Sequence, residues 1–330
     1  MLAVVLVGGF GTRLRPLTAD LPKQMLPICG VPMIEWVVGH LATHGVEEVG
    51  LSLGYRPDDF LNAYPDGQIA GIPYRVAVEP EPRGTAGAVR FATDEFGVDD
   101  TFLVLNGDVL TDLDITELIE FHRECQAEAT IALQPVPDPS RFGVVSTSLD
   151  GQVKEFVEKP EAARAPSNNV NAGTYVLEPS VIERIPGGIE VSIERETFPE
   201  LARAGTLYAL PSSTYWLDTG TPEQFLEANL DVLLGRRLRR AELPPAHLDP
   251  SAEVVDSVIG ADSRIGADAR IQRSVLFRDC QVNAKASVVD SVLADSVYVG
   301  EGARLERCVI GYGQRVERGE HLIAVKRPEG

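Results

Sequence analysis

The chain has 330 residues, 44% hydrophobic and 24% charged, the composition of a folded globular protein and not of a disordered one. The length suits two domains better than one. Thirty basic residues face 49 acidic ones, a formal charge of -19, so a broad, sequence-independent grip on nucleic acid is excluded for want of positive charge. Four cysteines (Cys29, Cys125, Cys280 and Cys308) form no CxxC pair and no zinc spacing, and they read as small buried thiols of a cytoplasmic protein. The apolar run Met1–Val7 meets Gly8-Gly9 too soon for a signal core or a membrane span, and no later run is long enough, so no membrane partner is expected.

In chain order, Leu2–Val7 reads as a buried strand and Met33–His44 as a helix ended by Gly45. Val49–Leu53 and Tyr74–Val78 read as strands, Thr85–Ala92 as a helix, Phe102–Leu105 as a strand and Ile115–Gln126 as a helix after Asp114. This alternation predicts an α/β domain over residues 1–235, a Rossmann-like, mixed, mostly parallel sheet covered by helices. Ligands of such sheets bind beyond the carboxyl ends of the strands, which draws attention to the loops after Val7 and Leu105. A last helix has Thr221 to cap it, Pro222 at its first position and Gly235 beyond its end. Residues 236–250 read as a linker with three prolines. Its basic start, Arg236-Arg237-Leu238-Arg239-Arg240, is expected to be a solvated helix end that complements the helix dipole.

Residues 251–330 have another rhythm. Aliphatic residues recur at steps of five, six and six, so that Ile259, Leu276, Leu293 and Ile310 form one series and Val258, Val275, Val292 and Val309 its neighbour. No α-helix has a 17-residue period of this kind, whereas a solenoid with three short strands per coil does. It resembles the hexapeptide-repeat left-handed parallel β-helix, and the handedness comes from that resemblance. Such coils are expected to assemble subunits into a homo-oligomer.

The motif that carries chemistry is Gly8-Gly9-Phe10-Gly11-Thr12-Arg13-Leu14-Arg15-Pro16-Leu17-Thr18, followed by Pro22-Lys23-Gln24-Met25-Leu26-Pro27-Ile28. Gly8, Gly9 and Gly11 directly after a buried strand let backbone N–H groups approach a polyphosphate. Arg13, Arg15 and Lys23 add three cations within eleven residues of a chain with only five lysines. The spacing is neither Walker A nor the Rossmann fingerprint.

The motif resembles the signature of the nucleoside-diphosphate-sugar pyrophosphorylases, the sugar-1-phosphate nucleotidyltransferases. Further matches follow in order: Arg83-Gly84-Thr85-Ala86-Gly87, Asn106-Gly107-Asp108, Phe142-Gly143-Val144-Val145, Val157-Glu158-Lys159-Pro160, Asn171-Ala172-Gly173 and Trp216-Leu217-Asp218-Thr219-Gly220-Thr221-Pro222. The runs Val136–Val145, Ser167–Gly173 and Ser192–Pro199 look most like mannose-1-phosphate guanylyltransferases.

The resemblance implies transfer of a nucleoside monophosphate from a nucleoside triphosphate to a sugar 1-phosphate, with pyrophosphate leaving. Positioning and electrostatics carry such reactions, and no nucleophilic side chain is needed. It implies a nucleotide site of Gly8, Gly9, Gly11, Thr12, Arg13, Glu79, Gly84 and Thr85, with Arg13 and Lys23 on the phosphates. It implies a sugar-phosphate site of Gly143, Glu158, Lys159, Asn171 and Gly173, and one Mg²⁺ shared by Asp108 and Asp218. Asp112 and Asp114 are assigned to a turn and a helix cap. Glu79 stands where uridine and thymidine enzymes carry Gln. A carboxylate only accepts hydrogen bonds, which suits the paired N1–H and amino donors of guanine and opposes the carbonyls of uracil and thymine. GTP and mannose 1-phosphate are thus the leading substrates. The alternatives are a thymidylyl-, uridylyl- or adenylyltransferase acting on glucose 1-phosphate, which Gln24-Met25 resembles more in its thymidylyl form, and a non-catalytic sensor of nucleotide sugars.

Overall fold

The computed structural model describes residues 1–54, 56–237 and 241–328. Its backbone contacts divide the chain into two compact units, one of residues 1–9 and 35–216, the other of residues 10–34 and 217–330. The segment with most of the phosphate motif therefore clusters with the C-terminal residues, although the repeat period alone divides the chain near residue 235.

The first unit is built on a ten-stranded sheet. Its strands are β1 (Leu2–Leu6), β2 (Glu48–Leu53), β3 (Gln68–Ile69), β4 (Ile72–Val78), β5 (Phe102–Asn106), β6 (Ala129–Pro135), β7 (Gly143–Thr147), β8 (Val153–Glu158), β9 (Asn169–Leu177) and β10 (Leu207–Pro211). The order is β8-β7-β9-β5-β1-β2-β4-β3, with β6 joining β9 and β10. Strands β5, β1, β2 and β4 run parallel, while β9 lies antiparallel to β5 and to β6. Val4, Val5, Leu103 and Val104 are fully buried, as befits central strands covered on both faces. The alternation read from the first 126 residues matches this parallel centre. The antiparallel side needed strands that no simple alternation announced.

Helices cover the sheet: Met33–Thr43, Gly84–Phe96, Ile115–Cys125 and Phe198–Ala204. Asp114 caps Ile115–Cys125 by accepting the N–H of Glu117 at 3.1 Å. From β1 the chain passes to β2 on one side and returns to β5 on the other. The crevice between the ends of β1 and β5 is thus the point where strand order reverses, the usual ligand position of such sheets.

The second unit is a parallel β-helix that packs on the helix Pro222–Leu233 and on residues 10–34. Three five-stranded parallel sheets form its sides. Val258 pairs with Val275, Val292 and Val309 in succession, and Ile259 with Leu276, Leu293 and Ile310, each one 17-residue coil further on. The ladder of Ile259, Leu276, Leu293 and Ile310 faces a shared core in which Ile271, Val288, Leu293, Val299, Ile310 and Val316 are fully buried, while the valine ladder beside it points to the opposite face of the same strands. The first rung is His247–Leu248, which pairs with Arg264–Ile265 and lies inside the stretch read as a linker. Arg236 of the basic run bonds Asp231 at 2.7 Å and Glu227 at 2.8 Å, whereas Leu238, Arg239 and Arg240 lie outside the described residues.

The corners follow the same period. Asp256, Asp262, Asp268, Arg273, Asp279, Lys285, Asp290 and Ser296 all have left-handed backbones. Asp is among the residues that tolerate this conformation best, and it recurs at these corners. A ladder of small hydroxyls stitches the coils inside: the N–H groups of Ser274, Ser291 and Cys308 donate to the Oγ atoms of Ser257, Ser274 and Ser291.

On residues 10–34, Cys29 N donates to Asn229 Oδ1 at 2.7 Å, and the Thr219 hydroxyl bonds the Met33 sulfur. Phe225 of the helix meets Phe277 of the coil edge to face, 5.9 Å between ring centres. Burial pushes the Cys29 and Cys280 thiols up to about 12, so both stay protonated and inert. Among the described residues, no helix is long and apolar enough to cross a membrane.

Candidate functional site

In the first unit, Leu6 of β1 lies in register with Asn106 of β5, so Gly8-Gly9 and Asp108 leave the same end of neighbouring strands. The Gly107 N–H donates to the Leu6 carbonyl at 2.9 Å and holds the two loops side by side. Gly8 and Gly9 are exposed, and nothing lies within 4 Å of where a Cβ would stand on either. Asp108 is half-buried.

Glu79 follows β4 and is buried. Its Oε2 accepts the Arg83 N–H at 3.0 Å, which closes the loop that leads to helix Gly84–Phe96. Burial pushes its carboxyl above the ordinary value, against the pull of the Arg83 N–H, the Arg83 guanidinium and the Ser52 hydroxyl. Gly84 has φ +67° and a Cβ there would lie 2.6 Å from the Val191 carbonyl oxygen, so only glycine fits. That carbonyl accepts the N–H groups of Ala86 and Gly87, so the start of this helix already has its acceptor. Thr85 donates to Glu194 Oε2 at 2.7 Å and accepts the Ile193 N–H at 2.8 Å. Its hydroxyl is engaged within the fold.

The residues assigned to the sugar phosphate fall in two neighbouring groups. Gly143 pairs with Glu158 across the β7–β8 hairpin, and a Cβ on Gly143 would press on Phe156 at 2.6 Å. Lys159 is exposed, has φ +49° and bonds Glu158 at 2.9 Å through Nζ. In β9, Asn171 Oδ1 accepts the Gly173 N–H at 2.9 Å and Asn171 Nδ2 donates to Tyr175 Oη at 2.9 Å. The pairing of β9 with β6 skips between Asn171 and Tyr175, and this irregularity turns Asn171 and Tyr175 toward each other. Gly173, at φ +76°, leaves space for the Asn106 amide, which would sit 2.6 Å from a Cβ. Burial raises the Tyr175 phenol, and the carboxylates of Glu194, Glu158 and Asp108 add to it. One buried phenol thus feels carboxylates from three motifs distant in sequence.

Sequence reasoning assigned no role to Asn106, Tyr175 or Glu194. Asn106 and Glu194 stood inside quoted motifs, which was a usable signal. Tyr175 had none, because its contact with Asn171 depends on a strand irregularity.

In the second unit, Gly11 at φ +58° opens the short helix Thr12–Leu14. The Thr18 hydroxyl donates to the Gly11 carbonyl at 2.8 Å, and a Cβ on Gly11 would meet Thr18 at 3.0 Å and Lys23 at 3.4 Å. Thr12 and Arg13 are exposed on this turn and Lys23 is half-buried beneath it. Asp218 Oδ1 accepts the Gly220 N–H at 2.9 Å. A Cβ on Gly220 would lie 2.8 Å from an Arg13 guanidinium nitrogen and 3.0 Å from Asp218 Oδ1. Glycine at 220 therefore gives Arg13 its place beside Asp218.

Residues 2–234 match the family described as nucleotidyl transferase, and residues 243–324 match the GlmU-like C-terminal hexapeptide family. The chain belongs to the nucleotidyl transferase family. Within it, the chain is a sugar-1-phosphate nucleotidyltransferase. It is 43% identical over 235 residues to a mannose-1-phosphate guanylyltransferase of Mycobacterium tuberculosis, covering 71% of this chain and 65% of that one. It is 39% identical over 270 residues to a mannose-1-phosphate guanyltransferase of Yarrowia lipolytica, covering 77% and 73%. The crystal structure of HddC from Yersinia pseudotuberculosis superposes with a TM-score of 0.60 at 30% identity, over 69% of this chain and 97% of that one.

Proposed function

We propose that this nucleotidyltransferase joins GTP and mannose 1-phosphate to give GDP-mannose and pyrophosphate. The observation that carries the reading is the run of relatives named as mannose-1-phosphate guanylyltransferases at about 40% identity. Glu79 agrees with it, since a carboxylate favours the two adjacent donors of guanine.

In the proposed reaction an oxygen of the sugar phosphate attacks the α-phosphorus of the triphosphate. The bond from that phosphorus to the β-phosphate bridging oxygen breaks, and pyrophosphate departs with the electron pair. The backbone N–H groups of Gly8, Gly9, Gly11 and Thr12 would line the phosphate path. Arg13 would hold the departing phosphates by two oxygens, and Lys23 the α-phosphate as a point charge. Gly84 and Thr85 would border the base, with Glu79 behind them. Lys159 would neutralise the sugar phosphate, while Glu158 and Asn171 would bond sugar hydroxyls, with Gly143 and Gly173 giving backbone access.

Family members use a divalent metal, and Mg²⁺ held by Asp108 and Asp218 is part of this proposal. Among the described residues no group of three or more His, Cys, Asp or Glu side chains could hold a metal. A pair of carboxylates fits magnesium, which takes one or two of them and fills the rest of its shell with phosphate and water oxygens. When bound, it would neutralise charge on the reacting phosphates. A cytoplasmic location accords with four unpaired cysteines, and homo-oligomer formation with the flat faces of the β-helix.

A matrix of nucleoside triphosphates against sugar 1-phosphates, scored by pyrophosphate release, tests the pairing. GTP with mannose 1-phosphate should head it, and GTP among the poorest donors would refute the guanine reading. Asp108→Asn and Asp218→Asn should each lower turnover about 100-fold or more and raise the magnesium needed for half-activity. Asn at 218 keeps an oxygen for the Gly220 N–H, so that variant removes charge and spares the turn.

A further inference from the structure

The last coil of the β-helix reaches the phosphate motif. Lys326 Nζ donates to the backbone carbonyl of Arg13 at 3.2 Å. One strand earlier, a Cβ on Gly311 would lie 3.0 Å from Pro16 Cβ, so this edge of the coil abuts the same loop. Lys326 is anchored: Val309 and Ile310 pair with Lys326 and Arg327 in register. Arg327 in turn grips Glu320 through both terminal nitrogens and bonds the Arg315 carbonyl at 2.9 Å. A two-oxygen grip of this kind fixes geometry as well as charge. Only five lysines occur in the chain, and this one is spent on a main-chain oxygen of the loop that carries Arg13.

We propose that Lys326 is a positioning residue, holding the Arg13 segment so that the Arg13 guanidinium is set for phosphate, and that the final coil thereby supports catalysis as well as assembly. The proposal rests on the reading of Arg13 as a phosphate ligand. The lysine acts by orientation alone, since its ammonium is spent on the Arg13 carbonyl.

The test uses the full chain and magnesium pyrophosphate, a ligand independent of base and sugar. Its Kd is measured by titration calorimetry for wild type, Lys326→Ala, Lys326→Arg, Arg13→Ala, the Lys326→Ala/Arg13→Ala double variant and Lys285→Ala. The last removes an exposed lysine on another coil. Lys326→Ala should weaken pyrophosphate binding about fivefold, the scale of one charge-assisted hydrogen bond exposed to water. Lys326→Arg should recover most of it. Sedimentation and melting temperature should match Lys285→Ala, which separates positioning from general structure. Lys326→Ala should add nothing once Arg13 is gone, because the lysine acts through that side chain. If Lys326→Ala binds like Lys285→Ala while Arg13→Ala has lost affinity, the brace is refuted and Arg13 stands. Full additivity in the double variant also refutes it. If Arg13→Ala binds pyrophosphate as wild type does, the reading of Arg13 falls, and the brace with it.

Discussion

Gly220 and Glu79 show how much a single residue fixes in its surroundings. At Gly220 the missing side chain leaves room: Arg13 and Asp218 both crowd the place a methyl group would take. Gly220→Ala should displace the guanidinium and cut turnover at least tenfold, since a misplacement of about 1 Å can cost on the order of 100-fold. A melting curve close to wild type alongside steady-state rates checks that the loss is local. Glu79 has a folded-state pKa above its unfolded value. The native state therefore holds its proton more tightly, and this group's contribution to stability is full below pH 4.5 and lost as pH rises through the folded pKa. Glu79→Gln keeps an acceptor for the Arg83 N–H and removes the charge. Its stability relative to wild type should therefore rise between pH 4 and pH 7, as read by urea unfolding. The same variant should use UTP and dTTP better relative to GTP if the carboxylate selects the base.

Among the elements, those made legible by period agree best with the structure. The central strands were visible as short apolar runs, and the helix capped by Thr221 begins as its motif indicates, with the Gln224 N–H on the Thr221 hydroxyl at 3.3 Å. The helix after Arg83 runs on to Phe96, beyond Ala92, because Val89, Ala92, Thr93 and Phe96 keep one face on the core. The β-helix was readable rung by rung, since every coil repeats one register and buries the same offsets. Strands β6 to β10 were not read as a set. Outside the β7–β8 hairpin their partners are not neighbours in sequence, and their pairing follows the sheet edge left by β5. The link between Asn171 and Tyr175 was invisible for a related reason, as it needs a register shift that only the neighbouring strand imposes.

In the molecule as a whole, the β-helix packs on the loop of residues 10–34 and on the helix Pro222–Leu233. Pro16 meets Gly311, Lys326 holds the Arg13 carbonyl, and Phe277 packs on Phe225. Leu21, Met25 and Pro27 line a cavity of about 450 Å³ with Val258, Leu276 and Phe277. Deleting residues 251–330 uncovers this apolar surface and strips the support from residues 10–34. The truncated chain should melt at least 5 °C lower and lose affinity for magnesium pyrophosphate, in addition to any change in sedimentation. A truncated chain with wild-type melting and binding would confine the β-helix to assembly.

The sequence alone determined the parallel α/β centre, the 17-residue coil and the composition of the phosphate motif. Each is written locally, in apolar period, in glycines after a strand, and in cations clustered where cations are scarce. Only the tertiary structure decided that Gly8-Gly9 and Asp108 share one strand end, that Gly220 makes room for Arg13, and that the last coil holds the loop from behind. These are contacts between segments 100 to more than 300 residues apart. Local pattern carries no record of them, because they arise when buried surfaces find their partners and side chains fall into place.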